Sequence, residues 1–314
     1  MKAKLSLLLL TSPILYGLQS LSLHTENDVY FPPTDYDRYY TAGHSLSYTS
    51  MDFENSFLDY IGLLSFTWDE KLAKFSVSIS QEIHTPDSKT KNPAPKGDGL
   101  YGGYLYATLG VHHYNDYFLE SLSLELGVVG PWSFAQQTQN FIHSLLKLYK
   151  MPGWDTQIQN EFIFNLYHRF MYRFSIVDNV LELLPYSELA LGNAHIYAGI
   201  GLNLRIGYGL REDFGITKVR TSNVGITTGR GFRFYILAGI NERVIGRNIM
   251  IEGNSFGGKR SDLEIKRFVY EASLGALIGY YGFGLSYVYS FRQEEFATQK
   301  APFGYGSIRL EVAF

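Results

Sequence analysis

The sequence has no cysteine and little charge, with charged residues making up only 18% of its 314 positions. The absence of cysteine excludes disulfides, thiolate metal sites, a cysteine nucleophile and a lipid-modified N-terminal cysteine. There is no basic tract and the net charge is -3, so we expect no nucleic-acid partner. The sequence also lacks GxSxG, HExxH, P-loop and EF-hand patterns, and therefore no common catalytic motif assigns a reaction.

Aromatic residues, in contrast, are abundant. They make up 16% of the chain, with 25 Tyr and 22 Phe, and they accompany 31 Gly. Tyr and Phe favour strands and membrane interfaces, whereas a soluble protein usually carries more charge. The length alone is compatible with one large β domain or with two smaller ones.

The N-terminus has the pattern of a secretory signal peptide. A basic start, with Lys2 and Lys4, precedes the short apolar run Leu5–Leu10, which Ser12 and Pro13 interrupt. This run is too short for a membrane-anchoring helix. We therefore predict a cleaved signal peptide over residues 1–20 and a single domain over residues 21–314.

Most of the remaining sequence alternates apolar and polar residues with a period of two. In 196–206, for example, Ile, Ala and Leu fall on one side, while Tyr197, Asn203 and Arg205 fall on the other. Such alternation predicts strands of a sheet with one apolar and one polar face. About twelve strands are predicted, near 21–30, 41–50, 73–83, 101–112, 119–129, 161–172, 180–191, 195–208, 230–242, 265–279, 281–292 and 303–314.

An even number of antiparallel strands can close into a barrel without free edges. The last predicted strand alternates apolar with charged residues and ends on Phe314, as in outer-membrane barrels. A soluble sandwich or lipocalin-like barrel is the alternative, because periodicity does not say which face points inward. Residues 272–291 are nearly uncharged, but their glycines and tyrosines favour two strands around a turn at 280–282 over a transmembrane helix. We predict an all-β fold, a 12-stranded antiparallel transmembrane barrel.

One long segment, residues 130–154, reads as a helix. Ser133 is a candidate N-cap, apolar residues recur at helical spacing, and Pro152 and Gly153 are expected to end it. Gln139 and His143 lie one turn apart on its polar side. The barrel is thus predicted to carry one extracellular loop helix.

Strand parity places this helix at one end of the barrel. If both termini face the periplasm, the connections after odd-numbered strands face outside. The longer of these predicted outer connections are 31–40, 85–99, 130–160, 244–264 and 294–302. Polar residues from different connections can therefore meet at one rim.

Polar residues with possible chemistry lie at three of these connections. Asn27 and Asp28 end the first predicted strand and Thr41 starts the second, on either side of the first connection. Lys89 and Lys91 lie in the second connection, and Gln139 and His143 lie in the third. Carboxylate, amide and hydroxyl oxygens suit a hard cation such as calcium, and a histidine can act as a general base for water. Each group also has an ordinary explanation: a turn start for Asn27-Asp28, solvated loop charges for the lysines, and a structural role for a single histidine.

The motifs around these residues resemble a known family. LHTENDVYF, DRYYTAGHSLSY, SQEIHTPD, GPWSFAQQTQNFIHSL and PGWDTQIQNE occur in this order. The series is similar to the lipid A 3′-O-deacylase family (LpxR) of bacterial outer-membrane enzymes. The resemblance runs from the first strand to the end of the chain and is densest between Asn27 and Asn160.

The resemblance implies a hydrolase that removes the 3′-linked acyloxyacyl group of lipid A in the outer leaflet, with a site between barrel wall and loop helix. It also implies a calcium-dependent mechanism in which a histidine activates water. By the same resemblance, His143 would be the base, assisted by Gln139 and Thr41, and Asp28 with Asn27 would hold Ca2+. Lys89 or Lys91 would meet lipid A phosphate or sugar. We expect outer-membrane lipid as the surroundings and a monomer.

One position departs from the family pattern. The family has an acidic residue shortly after the histidine, whereas residues 145–150 of this chain contain none. If such a residue is needed, Asp155 or Glu82 would have to replace it. Two other functions remain open, a passive outer-membrane channel or adhesin barrel and an outer-membrane phospholipase with a serine nucleophile.

Overall fold

The computed structural model describes residues 15–16, 18–30, 37–54, 57–64, 71–219 and 225–314. Its twelve long strands are β1 (Ser20–Asn27), β2 (Tyr39–Thr49), β3 (Leu72–Thr85), β4 (Gly102–Tyr114), β5 (Phe118–Val129), β6 (Glu161–Tyr172), β7 (Leu181–Gly192), β8 (His195–Tyr208), β9 (Arg233–Asn248), β10 (Phe268–Tyr280), β11 (Phe283–Arg292) and β12 (Phe303–Ala313). Most of the predicted signal peptide, 1–14 and 17, lies outside the described residues.

Shorter elements join or extend these strands. The helix α1 spans Ala135–Leu145, and a single helical turn spans Ile249–Glu252. The two-residue strands at Leu15–Tyr16 and Asp52–Phe53 pair with each other, and Phe53 also pairs with Ala73 of β3. The four-residue strand at Phe174–Val177 pairs with the start of β7. Among the described residues, the 3-10 turns are Asp28–Tyr30, Phe57–Tyr60, Pro131–Ser133, Pro152–Thr156 and Leu210–Glu212.

The twelve long strands form a closed ring. Each pairs antiparallel with its neighbours in sequence, and β12 pairs with β1 through Ile308 opposite Thr25. Backbone hydrogen bonds of 3.1 and 2.9 Å join Gln19 to Phe314. The predicted 12-stranded antiparallel barrel is therefore confirmed, and no edge among its long strands is left open.

The strand predictions were wrong at a few ends. β1 stops at Asn27 because Asp28–Tyr30 turns into a 3-10 helix, and β9 runs on to Asn248, so the following connection starts later than predicted. The predicted turn between β10 and β11 is confirmed, since Tyr281 and Gly282 have φ of 53° and 84° and close a tight hairpin. Among the described residues, no helix has the length and apolar character needed to cross a bilayer.

The apolar face of the barrel points outward. Ile200 and Leu310 are 69% and 51% exposed, whereas Arg205 and Arg309 on the alternate positions are buried in the lumen. A soluble barrel would have the reverse arrangement, because its apolar side chains need shelter from water. Only a lipid environment makes this outer surface favourable, so the sandwich and lipocalin-like alternatives are excluded.

The lumen is filled by paired charges. Arg205, fully buried, contacts the carboxylates of Glu182 and Asp213 and lies 4.5 Å over the Tyr235 ring. Further buried pairs are Arg243–Glu188, Arg292–Glu271, Arg233–Glu311 and Lys74–Asp52. Two cavities between lumen side chains hold about 30 Å³ each, which is room for a few water molecules.

The connection between β8 and β9 enters the lumen from the end of the barrel at which β1 begins and β12 ends. Lys218 pairs with Glu271, and the backbone N–H of Val219 donates to Glu26 Oε1 at 2.8 Å. Farther along, Thr227 donates to Glu311 Oε1 at 2.5 Å. The described parts of this segment therefore lie in the barrel interior, which the sequence did not predict because the segment has no periodic pattern.

We expect Arg205→Ala to destabilise the barrel strongly. The substitution leaves the carboxylates of Glu182 and Asp213 buried without their main counter-charge, a change that costs about 3–5 kcal/mol in comparable sites. The matched control is Arg211→Ala, which removes an ion pair with Asp178 whose two side chains are 55% and 68% exposed and which should change stability by less than about 1 kcal/mol. Urea unfolding in lipid vesicles measures both; equal effects would contradict the role of the buried network.

Candidate active site

The loop helix is shorter than predicted. α1 covers Ala135–Leu145, and its N-cap is Phe134 in a left-handed conformation with φ of 58°. The prediction that Ser133 caps the helix is wrong, because its hydroxyl donates instead to the Gly130 carbonyl at 2.6 Å. The helix ends well before Pro152, because Lys147 adopts φ of 58° and turns the chain back.

The polar side of α1 faces the protein. Its buried residues are Ala135, Gln139 and His143, spaced four apart, whereas Phe141 and Leu145 are 68% and 69% exposed. This confirms that Gln139 and His143 share a face. A helix on the surface of a soluble protein has the opposite orientation, because its apolar side packs on the protein core and its polar side faces water.

The helix packs on the outside of the barrel wall, against β3 and β4. On β4, Tyr104 and Tyr106 point into the lumen, so Gly103, which directly precedes Tyr104, points outward. A Cβ at Gly103 would overlap the Ser133 hydroxyl and the Ala135 methyl group. Glycine at this position therefore lets the start of the helix touch the wall.

A small apolar cluster holds the helix and the following turn in place. It contains Ala42, Ile83, Tyr101, Ala135, Met151 and Trp154. The Gln81 side chain adds a hydrogen bond of 2.6 Å to the Ser133 carbonyl. The polar residues of α1 are thus fixed against the outer ends of β2, β3 and β4.

His143 is oriented by a backbone carbonyl. Its Nδ1 lies 2.6 Å from the Tyr149 carbonyl oxygen, which can only accept a hydrogen bond. The proton of the neutral ring is therefore on Nδ1, and the lone pair is on Nε2. Nε2 in turn lies 3.6 Å from Asp37 Oδ2, so the basic nitrogen faces the first outer connection.

Gln139 connects Asp37 to Trp154. Its amide nitrogen lies 3.4 Å from Asp37 Oδ1, and its carbonyl oxygen accepts from Trp154 Nε1 at 2.8 Å. Trp154 is fully buried, so this bond fixes which end of the amide points at the carboxylate. In this structure Gln139 positions Asp37, the residue that faces His143.

Asp28 lies at the bottom of the same site. It is buried, and its Oδ2 accepts from the Arg38 backbone N–H at 3.2 Å. Burial, and then the neighbouring Asp37 carboxylate, raise the pKa of Asp28 to about 8. The positive charge of Lys89 opposes this shift and lowers the pKa of Asp28 in part. Lys91 is exposed on the same loop.

The other two predicted residues have structural hydrogen bonds. The Asn27 side-chain oxygen accepts from the Val29 N–H at 2.9 Å, which forms the turn that buries Asp28. The Thr41 hydroxyl lies 2.7 Å from that of Thr85, which donates to the Asp37 carbonyl at 2.7 Å. Both residues therefore shape the connection that carries Asp28 and Asp37.

The donor set fits a hard cation in part. Asp28 and Asp37 bring two carboxylates together, and the raised pKa of Asp28 is the penalty that a bound cation would relieve. Among the residues that the structure describes, no group of three or more acidic, His or Cys side chains has metal-binding geometry. Calcium held here would need backbone or water oxygens to complete its shell of 6–8 oxygens.

Sequence reasoning missed three parts of this site: Asp37, the Tyr149 carbonyl and Trp154. It also suggested Asp155 or Glu82 as the partner of His143, and neither occupies that position. Glu82 points into the lumen and accepts from Tyr106 at 3.0 Å, while Asp155 is exposed. The PGW motif after the helix was the available signal for Trp154, whereas a backbone carbonyl has no sequence signal.

The fold and the site define a transmembrane β-barrel with a polar, histidine-containing site on its outer wall. A sequence profile of the family described as outer membrane protein LpxR matches residues 5–314, so the chain belongs to this family and is an outer-membrane protein. No curated protein matches the sequence at a significant level.

Solved structures agree with the fold. LpxR from Salmonella typhimurium superposes with a TM-score of 0.76 and 24% identity, covering 93% of this chain and 99% of that one. The translocator domain of the autotransporter NalP from Neisseria meningitidis gives a TM-score of only 0.41 at 11% identity, with 95% and 88% covered, and supports no inference.

We expect Gly103→Val to lift α1 from the wall without opening the barrel. The added side chain would occupy the space of Ser133 and Ala135, so the loop should become sensitive to protease while the strands stay protected. Ala107→Val is the matched control, since it places the same side chain on the same outward face of β4, at an exposed position away from the helix. Equal loop cleavage in both variants would contradict the packing role of Gly103.

The burial of Asp28 predicts a pH-dependent stability in the absence of divalent cations. Its folded pKa of about 8 lies above its usual value near 4, so the folded state binds the proton more tightly. Stability from this group is therefore present below pH 4 and is lost as the pH rises towards 8. Urea unfolding in chelator between pH 5 and pH 8 should show this decline, and Asp28→Asn should flatten it; an unchanged slope in the variant would contradict the assignment.

Proposed function

We propose that this protein is an esterase that removes the 3′-linked acyloxyacyl group of lipid A in the outer leaflet. The observation that carries the proposal is the geometry of His143, with Nδ1 bonded to the Tyr149 carbonyl and Nε2 directed towards Asp37, on the outside of the barrel. Membership of the LpxR family supports the same class of activity.

His143 would act as the general base. Nε2 carries the lone pair, so it can take a proton from a water molecule that attacks the ester carbonyl. The Tyr149 carbonyl keeps the Nδ1 proton in place and stabilises the imidazolium that forms, because a fixed acceptor dipole already faces that nitrogen. Asp37, whose Oδ2 lies 3.6 Å from Nε2, would help to orient the water.

The acidic residues beneath the histidine would hold the cation. Asp28 and Asp37 are the candidate ligands, with Asn27 and Thr41 shaping the loop around them. When bound, calcium would supply positive charge opposite the developing oxyanion of the ester. Lys89, on the Asp28 side, would meet a phosphate or sugar of the substrate, and Lys91 lies farther along the exposed loop.

The position of the site suits a lipid substrate. The residues around His143 lie between α1 and the outward faces of β2, β3 and β4, so a lipid could approach sideways without leaving the membrane plane. A site in the lumen would not allow this approach, since the lumen is packed with paired charges. The filled lumen likewise gives no support to a passive channel.

A serine mechanism has no support at this site. Among the described residues, the histidines bonded to serine are His24, with Ser307, and His112, with Ser76 and Ser121. All of these side chains are buried inside the barrel, where a membrane lipid cannot reach them. We therefore favour water activated by His143 over a serine nucleophile.

We expect His143→Ala to lower the deacylation rate by about 10²–10⁴-fold, the usual contribution of a general base. Mass spectrometry of lipid A from cells that express each variant gives the measurement, and heat-modified mobility in detergent gels confirms that the barrel still folds. Gln137→Ala is the matched control, because Gln137 lies on the same helix but is exposed. Full deacylation by the His143 variant would contradict the proposal.

Removal of calcium tests whether the proposed reaction depends on a bound cation. A chelator specific for calcium should abolish deacylation by the purified protein in vesicles, and added Ca2+ should restore it. Asp28→Asn and Asp37→Asn should each raise the calcium concentration required for half-maximal rate. Activity that persists in chelator would contradict calcium dependence, while leaving the role of His143 open to its own test.

A further inference from the structure

α1 carries an exposed apolar strip that the proposed chemistry does not use. Phe134, Phe141 and Leu145 are spaced seven and four residues apart and are 56%, 68% and 69% exposed, so they share one outward strip of the helix. Ile142, Leu146, Leu148 and Tyr149 extend the exposed apolar surface at the end of the helix. We call these seven residues the helix strip.

The helix strip is continuous with the lipid-facing wall. Trp132, directly before α1, is 50% exposed, and its ring lies 5.6 Å from that of Phe162 on β6. Phe162 and Phe164 point outward from the barrel and are themselves 72% and 57% exposed. An unbroken apolar surface therefore runs from the barrel belt onto the loop helix.

The charged residues after the end of α1 also favour contact with phosphorylated lipid. Lys147 and Lys150, exposed beside Leu146, Leu148 and Tyr149, can extend their ammonium groups towards phosphates while their methylenes stay in an apolar layer. Gln137 and Ser144, seven residues apart, form an exposed polar strip next to the apolar one. One apolar strip, one polar strip and flanking lysines are the features of a helix lying in a lipid–water interface.

We propose that the helix strip docks into the hydrocarbon of the outer leaflet, so that α1 lies in the membrane interface beside the barrel wall. The occupant is the acyl-chain layer of phosphorylated lipids, with Lys147 and Lys150 at the level of their phosphates. Given the proposed esterase function, this placement holds His143, on the opposite side of α1, next to the depth at which lipid ester bonds lie.

Spin labelling tests the docking independently of any activity. Because the chain has no cysteine, one introduced cysteine carries the only nitroxide. The probes are Phe141→Cys and Leu145→Cys on the helix strip, with Gln137→Cys and Ser144→Cys as matched controls on the polar strip. The full barrel is reconstituted in vesicles of lipopolysaccharide and phosphatidylethanolamine, and collisions with oxygen, which concentrates in hydrocarbon, are compared with those of a water-soluble nickel complex.

We expect labels at 141 and 145 to collide more with oxygen and labels at 137 and 144 to collide more with nickel. Equal nickel access at all four positions would overturn the proposal, because the strip would then face water. Spin–spin broadening confined to 141 and 145 would also overturn it, since the strip would then contact a second copy of the chain.

An activity measurement connects the docking to catalysis. The double variant Phe141→Ser and Leu145→Ser should lose at least tenfold more deacylation rate in vesicles than in detergent micelles, where the substrate is delivered without a bilayer. A double variant Gln137→Ser and Ser144→Ala should lose the same small amount in both. If no variant has activity in either medium, the esterase proposal fails, while the spin-label result still decides whether α1 lies in lipid.

Discussion

The site depends on close contact between a helix and the outside of a barrel wall. Gly103 has no side chain to keep Ser133 and Ala135 away, and the apolar cluster around Trp154 holds the return of the loop. Because α1 touches the wall through Ala135, the side of the helix that carries Ala135, Gln139 and His143 faces the protein. Gln139 and His143 are therefore brought to the connection that carries Asp28 and Asp37, more than one hundred residues earlier in the chain.

The barrel makes this contact possible because its interior is filled without any contribution from α1. Buried ion pairs and the segment after β8 fill the lumen, so the outer wall can be apolar and the polar chemistry can lie outside it. The surroundings of the site are consequently lipid on one side and wall on the other. This geometry differs from a channel, in which polar residues line an open interior.

Much of the fold follows from the sequence, because strands that separate lipid from a polar lumen must alternate with a period of two. That pattern predicted twelve strands and the hairpin at 280–282. The direction of the apolar face does not follow from periodicity, and the segment from Gly209 to Phe232 lacks a pattern altogether. The predicted helix was too long because the turn at Lys147 uses a left-handed conformation that lysine rarely adopts.

The site was predictable only where side chains carry the signal. His143, Gln139 and Asp28 stood out by type and position, and the structure brings all three together. Asp37 lies just before β2, and its proximity to His143 is a result of tertiary packing. The acceptor for the histidine ring is a backbone carbonyl, so no residue type at position 149 could have revealed it.

The proposed chemistry depends on the Tyr149 carbonyl, which holds His143 with the proton on Nδ1 and the lone pair on Nε2. Nitrogen-15 NMR of histidine-labelled protein in detergent, with His143→Gln used to assign the signal, measures the tautomer directly. We expect a neutral ring protonated on Nδ1 at alkaline pH. A ring protonated on Nε2 would contradict it, because the nitrogen that faces Asp37 could then no longer accept a proton from water.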